Sequence, residues 1–367
     1  MANGPLMGRL VGTALRRSIP LNAHFDLTYR CNERCVHCYL DHEDYGEVTT
    51  AEVKNILEQL ARAGTLFLTF SGGEIFLRRD FFELAAYARQ LRFDLSLKTN
   101  AVLITAERAA RLQQLSVRKI QISLYSADPA VHDAVTKVRG SWARSLTAIK
   151  FLRQQGLRVK IACPLMQANL NGYAAVRALA EELGVGCVFD LTITPMMDGD
   201  HTPVALRVEQ RDLLPILQDP RINRPRALAP AKAAASGAEP EPGNGANPFD
   251  GFPCGAGHNS LYINPYGDVY PCVQMPIPTG NLRHERFNEI WYGSTEMLEV
   301  RAVRTQDLPV CSHCELQPGC PRCPGLAYME QGSVRAPSLR ACEIAEAKAL
   351  LDGVQNPRSA ARSEIYA

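Results

Sequence analysis

The chain has 367 residues, 46% of them hydrophobic and 21% charged, with a formal net charge of +2. That length holds one large domain and a smaller one, and the composition excludes general disorder. The near-neutral balance offers no field of one sign for nucleic acid or anionic lipid, and no stretch is long and apolar enough to span a bilayer.

Residues 1–24 read as an N-terminal extension. Arg16 and Arg17 are followed by no continuous apolar run, so the segment resembles neither a signal peptide nor a twin-arginine leader. From Phe25 to 217, short apolar runs rich in β-formers alternate with helical patterns six times. This predicts an α/β fold, a partial (β/α)6 TIM-like barrel with parallel strands. The first strand carries Phe25 and Leu27. A helix then opens on Thr49 and Glu52, a capping-box pattern, with Val53, Ile56, Leu57 and Leu60 on one face. Strands follow at Leu66 to Phe70, Leu95 to Thr99, Ile120 to Leu124, Val159 to Cys163 and Val188 to Ile193. The intervening helices are Phe81 to Leu91, Ala106 to Leu115, Ser141 to Gln154 and Tyr173 to Leu183.

Just beyond the first strand lie Cys31, Cys35 and Cys38, spaced CxxxCxxC. Three thiolates on a four-iron cluster leave one iron without a protein ligand, and an open metal position is where chemistry happens. A zinc knuckle is the bland alternative and needs a fourth ligand nearby. Partial barrels, like full ones, gather their sites at the C-terminal ends of the strands. There the chain places Gly72, Gly73 and Glu74 after strand two, Thr99 and Asn100 after strand three, and Ser123 on strand four. Paired glycines allow close backbone approach to a ligand, and Glu74 offers an acceptor for an ammonium group.

These residues resemble the radical S-adenosylmethionine (radical SAM) enzymes, with His37 at the usually aromatic position of their CxxxCxφC signature. The resemblance implies a 4Fe-4S cluster on Cys31, Cys35 and Cys38. It implies SAM contacts at Gly72, Gly73 and Glu74 for the methionine amino group, and at Asn100 and Ser123 for ribose or carboxylate. Where relatives have His-Asp-x-x-Arg after strand four, this chain has His132 and Asp133 followed by Ala134, Val135 and Thr136. Lys137 is the preferred replacement partner of the SAM carboxylate.

Residues 218–250 are rich in Pro, Ala, Gly and Glu and read as a flexible linker. Residues 251–351 then bring Cys254, Cys272, Cys311, Cys314, Cys320, Cys323 and Cys342, with a hairpin predicted between Leu261 to Ile263 and Asp268 to Tyr270. Residues 352–367 form a tail. This order of cysteines resembles the SPASM domain of radical SAM enzymes that mature peptides and proteins; a zinc ribbon is the alternative. The resemblance implies two auxiliary iron-sulfur clusters, an outer one on Cys311, Cys314, Cys320 and Cys342 and an inner one on Cys254, Cys272 and Cys323. Seven thiolates leave the inner cluster with an open iron, a ligand such as His258, or a smaller core; an open iron facing the substrate is preferred. Cys163 and Cys187 sit in apolar runs and read as structural.

The implied activity is reductive cleavage of SAM to a 5'-deoxyadenosyl radical that abstracts a substrate hydrogen. The preferred substrate is a ribosomally made peptide, as in the maturases of pyrroloquinoline quinone and mycofactocin precursors and the anaerobic sulfatase maturases. Tetrapyrrole side-chain chemistry is the alternative among enzymes, and an iron-sulfur electron carrier the alternative outside them. Ten of the twelve cysteines fall in metal-like clusters, which implies a reducing, cytoplasmic setting. A flavodoxin or ferredoxin is the expected reductant. A separate peptide-recognition protein, or direct binding by the SPASM domain, is expected because so few residues precede the barrel.

Overall fold

The computed structural model describes residues 5–219, 251–355 and 357–359. Residues 220–250 of the expected linker and most of the expected tail lie outside them. In chain order the elements are α1 (Pro5–Arg16), β1 (Asn22–Thr28), α2 (Thr50–Arg62), β2 (Phe67–Gly72), α3 (Phe81–Gln90), β3 (Asp94–Thr99), α4 (Ala106–Gln114), β4 (Lys119–Ser123), α5 (Pro129–Thr136), α6 (Ser141–Gln154), β5 (Val159–Pro164), α7 (Tyr173–Glu182), β6 (Gly186–Asp190) and α8 (Gln210–Gln218). The C-terminal part contributes β7 (Ser260–Ile263), β8 (Asp268–Tyr270), β9 (Gly280–Asn281), α9 (Phe287–Gly293), α10 (Thr295–Ala302), α11 (Pro324–Gln331) and α12 (Leu339–Leu351).

All six expected strands are present, and β1 to β6 run parallel in simple succession, an open partial barrel. The expected capping box forms: Thr49 Oγ1 accepts from Glu52 N–H, and the Glu52 carboxylate accepts from Thr49 N–H. The sixth strand begins at Gly186 and ends at Asp190, earlier than its apolar run suggests, because the ladder with β5 finishes at Pro164 opposite Asp190. Elements that the sequence reading did not resolve include α1, α5 and α8; α8 packs on α12, joining the end of the barrel to the last described helix.

The strand period of two divides the barrel into an outer and an inner face. Outward residues such as Phe25, Leu27, Phe70, Leu97 and Ile122 pack on Val53, Leu57, Leu84, Leu112 and Leu152 of the helices in one core. Each fully buried Leu or Phe contributes roughly 1.5–3 kcal/mol. Inward residues are polar: His24 and Asp26 on β1, Ser71 on β2, Lys98 on β3, Gln121 and Ser123 on β4.

The expected C-terminal hairpin forms but does not stand apart. Its first strand, β7, pairs in parallel with β1, with Asn22 opposite Ser260 and Phe25 opposite Ile263, and β8 and β9 follow antiparallel. The sheet is therefore nine strands in the order β6-β5-β4-β3-β2-β1-β7-β8-β9.

Candidate active site and auxiliary cysteine groups

The loop after β1 is held from three sides. Glu47 accepts hydrogen bonds from Thr28 Oγ1 and Tyr29 N–H and pairs with Arg30 at 3.0 Å. Arg34 and Val36 donate their N–H groups to the carbonyls of Thr136 and Val135 at the end of α5. Gly73 and Glu74 donate theirs to Thr28 and Arg30. A Cβ on Gly72 would collide with the carbonyl oxygen of Thr28, and one on Gly73 with that of Arg30; Gly72 also has φ +128°. The paired glycines are thus required by the approach of the β2 end to the cysteine loop itself, a reason the sequence alone does not reveal.

Cys31, Cys35 and Cys38 all line one cavity of about 310 Å³ at the C-terminal ends of the strands, together with Gly72, Gly73, Asn100 and Ser123. Glu74 is not among its lining residues. Its fully buried carboxylate accepts from Thr99 Oγ1 at 2.7 and 2.9 Å, from Asn100 N–H at 2.9 Å and from Phe76 N–H at 3.1 Å, so it braces the end of β2 against the end of β3. Lys137 occupies the left-handed C-cap of α5 at φ +60°, is exposed and is not among the residues that line the cavity.

Three sulfur donors facing a single cavity suit an iron-sulfur cluster with one open iron. Asn100 Nδ2 lies 3.8 Å from Cys31 Sγ, Glu33 N–H 3.4 Å from the same sulfur, and Tyr125 OH 3.6 Å from Cys35 Sγ, donors of the kind that settle thiolate charge. Burial pushes the Cys31 thiol up to about 12 and Cys38 to about 11, and raises Cys35 too. Metal binding here must therefore displace protons. Burial also lifts Glu33, between the first two cysteines, to about 7. The His37 ring stands edge-on to Tyr125 with centroids 4.9 Å apart. Among the described residues no three His, Cys, Asp or Glu side chains converge on one ion-sized point.

Of the C-terminal cysteines, Cys254, Cys272 and Cys323 lie near one another, and Cys320 and Cys342 each lie near Cys311 and Cys314. His258 lines a small pocket beside Cys254 and Met275, its ring 4.6 Å from that of Phe252; Cys272 and Cys323 do not line that pocket. Cys163 is buried with its thiol toward the Tyr125 carbonyl, and Cys187 lies half-buried near it. Val273 and Gln274, which follow Cys272, reach back to line the cavity of Cys31, Cys35 and Cys38.

Sequence reasoning missed the inner wall. Asp26, fully buried, accepts from Tyr262 OH at 2.9 Å, contacts His24 Nε2 at 3.1 Å and lies 3.5 Å from Tyr39 OH; Tyr29 and Tyr262 share a hydrogen bond of 2.7 Å. Lys98 lines the cavity beside them. The available signal was a polar residue at every second position of β1 and β3.

Residues 25–170 match the model of the radical SAM superfamily, and residues 254–315 that of the SPASM iron-sulfur cluster-binding domain. The chain is 27% identical to the AdoMet-dependent heme synthase of Methanosarcina barkeri, over 84% of this chain and 92% of that protein. It is 29% identical to the mycofactocin maturase MftC of Mycobacterium tuberculosis, over 82% of this chain and 77% of that one. Among solved structures, Streptococcus suis SuiB bound to its precursor peptide SuiA superposes with a TM-score of 0.67 at 19% identity, over 89% of this chain and 78% of SuiB, a likeness of fold.

Proposed function

We propose, from the premise that this chain is a radical SAM enzyme with a C-terminal SPASM iron-sulfur domain, that it modifies a peptide made by the ribosome. The observation that carries the reading is the shared cavity. The cysteine loop after β1 and the Val273 and Gln274 segment beside Cys272 face the same space, so a substrate held there touches both iron-sulfur regions. Relatives named as a mycofactocin maturase and a subtilosin biosynthesis protein support a peptide as the occupant.

The bound 4Fe-4S cluster and SAM supply a carbon radical that removes a hydrogen atom from the substrate. In this reading Cys31, Cys35 and Cys38 would hold the cluster with three thiolates, one fewer than its irons. Asn100 and Tyr125 donate to the sulfurs, while Ser123 and the Gly72 and Gly73 backbone bound the space for SAM. Glu74 acts as a brace that fixes the loop and the β3 end relative to each other, so the reacting groups are held in register. The barrel wall, closed on one side by the C-terminal hairpin, keeps water from the reacting carbon. Cys254, Cys272 and Cys323 would hold an inner auxiliary cluster, and Cys311, Cys314, Cys320 and Cys342 an outer one, which would supply electron transfer beside the cavity. Residues 25–217 and 251–351 are the two functional units; the setting is the cytoplasm, with a flavodoxin or ferredoxin as reductant and a separate recognition protein for the peptide. Among the described residues no helix is long and apolar enough to cross a membrane.

A second reading, tetrapyrrole side-chain chemistry, is favoured by the heme synthase relatives, which match over 84% of this chain. The deciding experiment is anaerobic turnover of the cluster-loaded protein with SAM and dithionite, presented in turn with a short peptide encoded beside its gene and with a propionate-bearing tetrapyrrole. A mass change in the peptide, matched by 5'-deoxyadenosine, is the expected result. Conversion of the tetrapyrrole alone would replace the first reading by the second.

A further inference from the structure

Three lysines share the inner wall of the barrel. Lys98, Lys119 and Lys160 adjoin Leu97, Ile120 and Ile161, which belong to the outer core, so the two-residue period turns the lysines inward. The ladders set Lys98 opposite Gln121 and Gln121 opposite Lys160, with Lys119 opposite Ser96 one step further from the cysteine loop. All three are half-buried. Among the described residues none of them makes a hydrogen bond or an ion pair.

Lys98 feels three acidic groups, Asp26, Cys272 and Asp190, without a hydrogen bond or ion pair to any of them, whereas Lys119 is surrounded by other cations. Asp26, the nearest buried acid on the wall, already has His24, Tyr262 and Tyr39 at its two oxygens. Asp190 is exposed and accepts from Thr192 N–H. Burial first, then Lys160, Arg118 and Lys98, hold Lys119 below the usual lysine value. Half-buried ammonium groups that crowd one another lower the energy of the wall only when an anion joins them. Lys98 is the innermost of the three and lines the cavity of Cys31, Cys35 and Cys38.

We propose that Lys98, Lys119 and Lys160 form a carboxylate-binding track on the inner faces of β3, β4 and β5, which draws in an acidic substrate and anchors one of its carboxylates at Lys98 inside the reaction cavity. This rests on the peptide reading above and narrows it to a peptide with Asp or Glu near the modified residue. Lys98 and Lys160 are separated by two strand spacings, about 10 Å, which the flexible side chains of acidic residues two apart, on one face of an extended peptide and about 7 Å apart along it, reach. Lys98 also stands two residues deeper along β3 than Asn100, so the anchored group lies below the level at which SAM contacts are placed.

The test titrates the cluster-loaded, SAM-bound protein at low ionic strength with capped heptapeptides that differ only by Glu or Gln at positions three and five. Tighter binding of the Glu peptide by tenfold or more is expected, falling toward equality in Lys98→Met and in the triple Met variant, and retained in Lys98→Arg. Equal binding of the two peptides by the unaltered protein overturns the track, as does a preference that survives in the triple variant. A Lys98→Met variant that loses SAM affinity while keeping the peptide preference assigns Lys98 to the SAM carboxylate and overturns the anchor. Coproporphyrin and its tetramethyl ester form a parallel arm. Lysine-dependent binding of the free acid, without any Glu-peptide preference, keeps the carboxylate track and overturns the peptide reading alone.

Discussion

Tyr262 donates its hydroxyl to Asp26 Oδ2 at 2.9 Å across 236 positions of sequence, and Tyr29 in turn donates to Tyr262. One buried carboxylate thereby ties the strand that ends at the cysteine loop to the strand that begins the C-terminal hairpin. Burial and the neighbouring Asp26 raise the Tyr262 pKa well above its ordinary value, so the phenol remains a donor. Tyr262→Phe is expected to lower stability by about 1–3 kcal/mol, because it strips a fully buried acid of its shortest partner. Denaturant unfolding checks it; a change within error would show that Asp26 does not depend on this bond.

Removing Cys31, Cys35 and Cys38 together as alanines is expected to lower the iron content by about four per chain and to abolish 5'-deoxyadenosine formation, while the auxiliary cysteines keep their iron. Iron analysis and chromatography of the SAM products read both. Normal 5'-deoxyadenosine output from the triple variant would remove the central assignment.

Gly73→Ala is expected to displace the cysteine loop, since the new Cβ meets the Arg30 carbonyl rather than a flexible side chain. The readout is iron retention at the site cluster in a background lacking the auxiliary cysteines. Full retention would mean that the loop yields without cost.

Lys137→Ala is expected to change SAM affinity by less than twofold, because its side chain lies outside the cavity. Equilibrium binding of SAM measures this, and a tenfold loss would restore Lys137 as the carboxylate partner.

His132 carries a pH dependence of folding. Its Nδ1 accepts the Tyr125 N–H at 3.1 Å, and burial lowers its pKa from 6.5 to about 4. Between those values the unfolded chain binds a proton that the folded chain does not, so stability falls as pH falls through that window. Between pH 6.5 and 5 the loss from this group is about 2 kcal/mol. Unfolding curves at the two pH values, with His132→Gln as the comparison, test it; equal slopes in both proteins would count against it.

The alternation of strand and helix was legible because each barrel strand buries only one face against helices, and the cysteine groups because their spacing is local. The exposed setting of Lys137 was not legible because it follows from where α5 ends, and no pattern in the segment had revealed α5. The steric need for Gly72 and Gly73 was not legible because the carbonyls they must clear lie at and just after the end of β1, brought alongside only by the sheet register. Lys98 was hidden in plain alternation: one lysine in an apolar strand reads as a solvent-facing residue until the strand closes into a barrel whose interior is polar.

The pairing of β7 with β1 has a consequence for how the chain is made. During synthesis β1 to β6 emerge first, and until residues 260–263 follow, the backbone of β1 on its β7 side has no partner in the sheet. Nascent chains that stall before this point present a bare strand rim to their neighbours, with the cysteine loop at its tip, and such rims seed aggregation. Once residues 260–263 have emerged, β7 can cover that rim of β1.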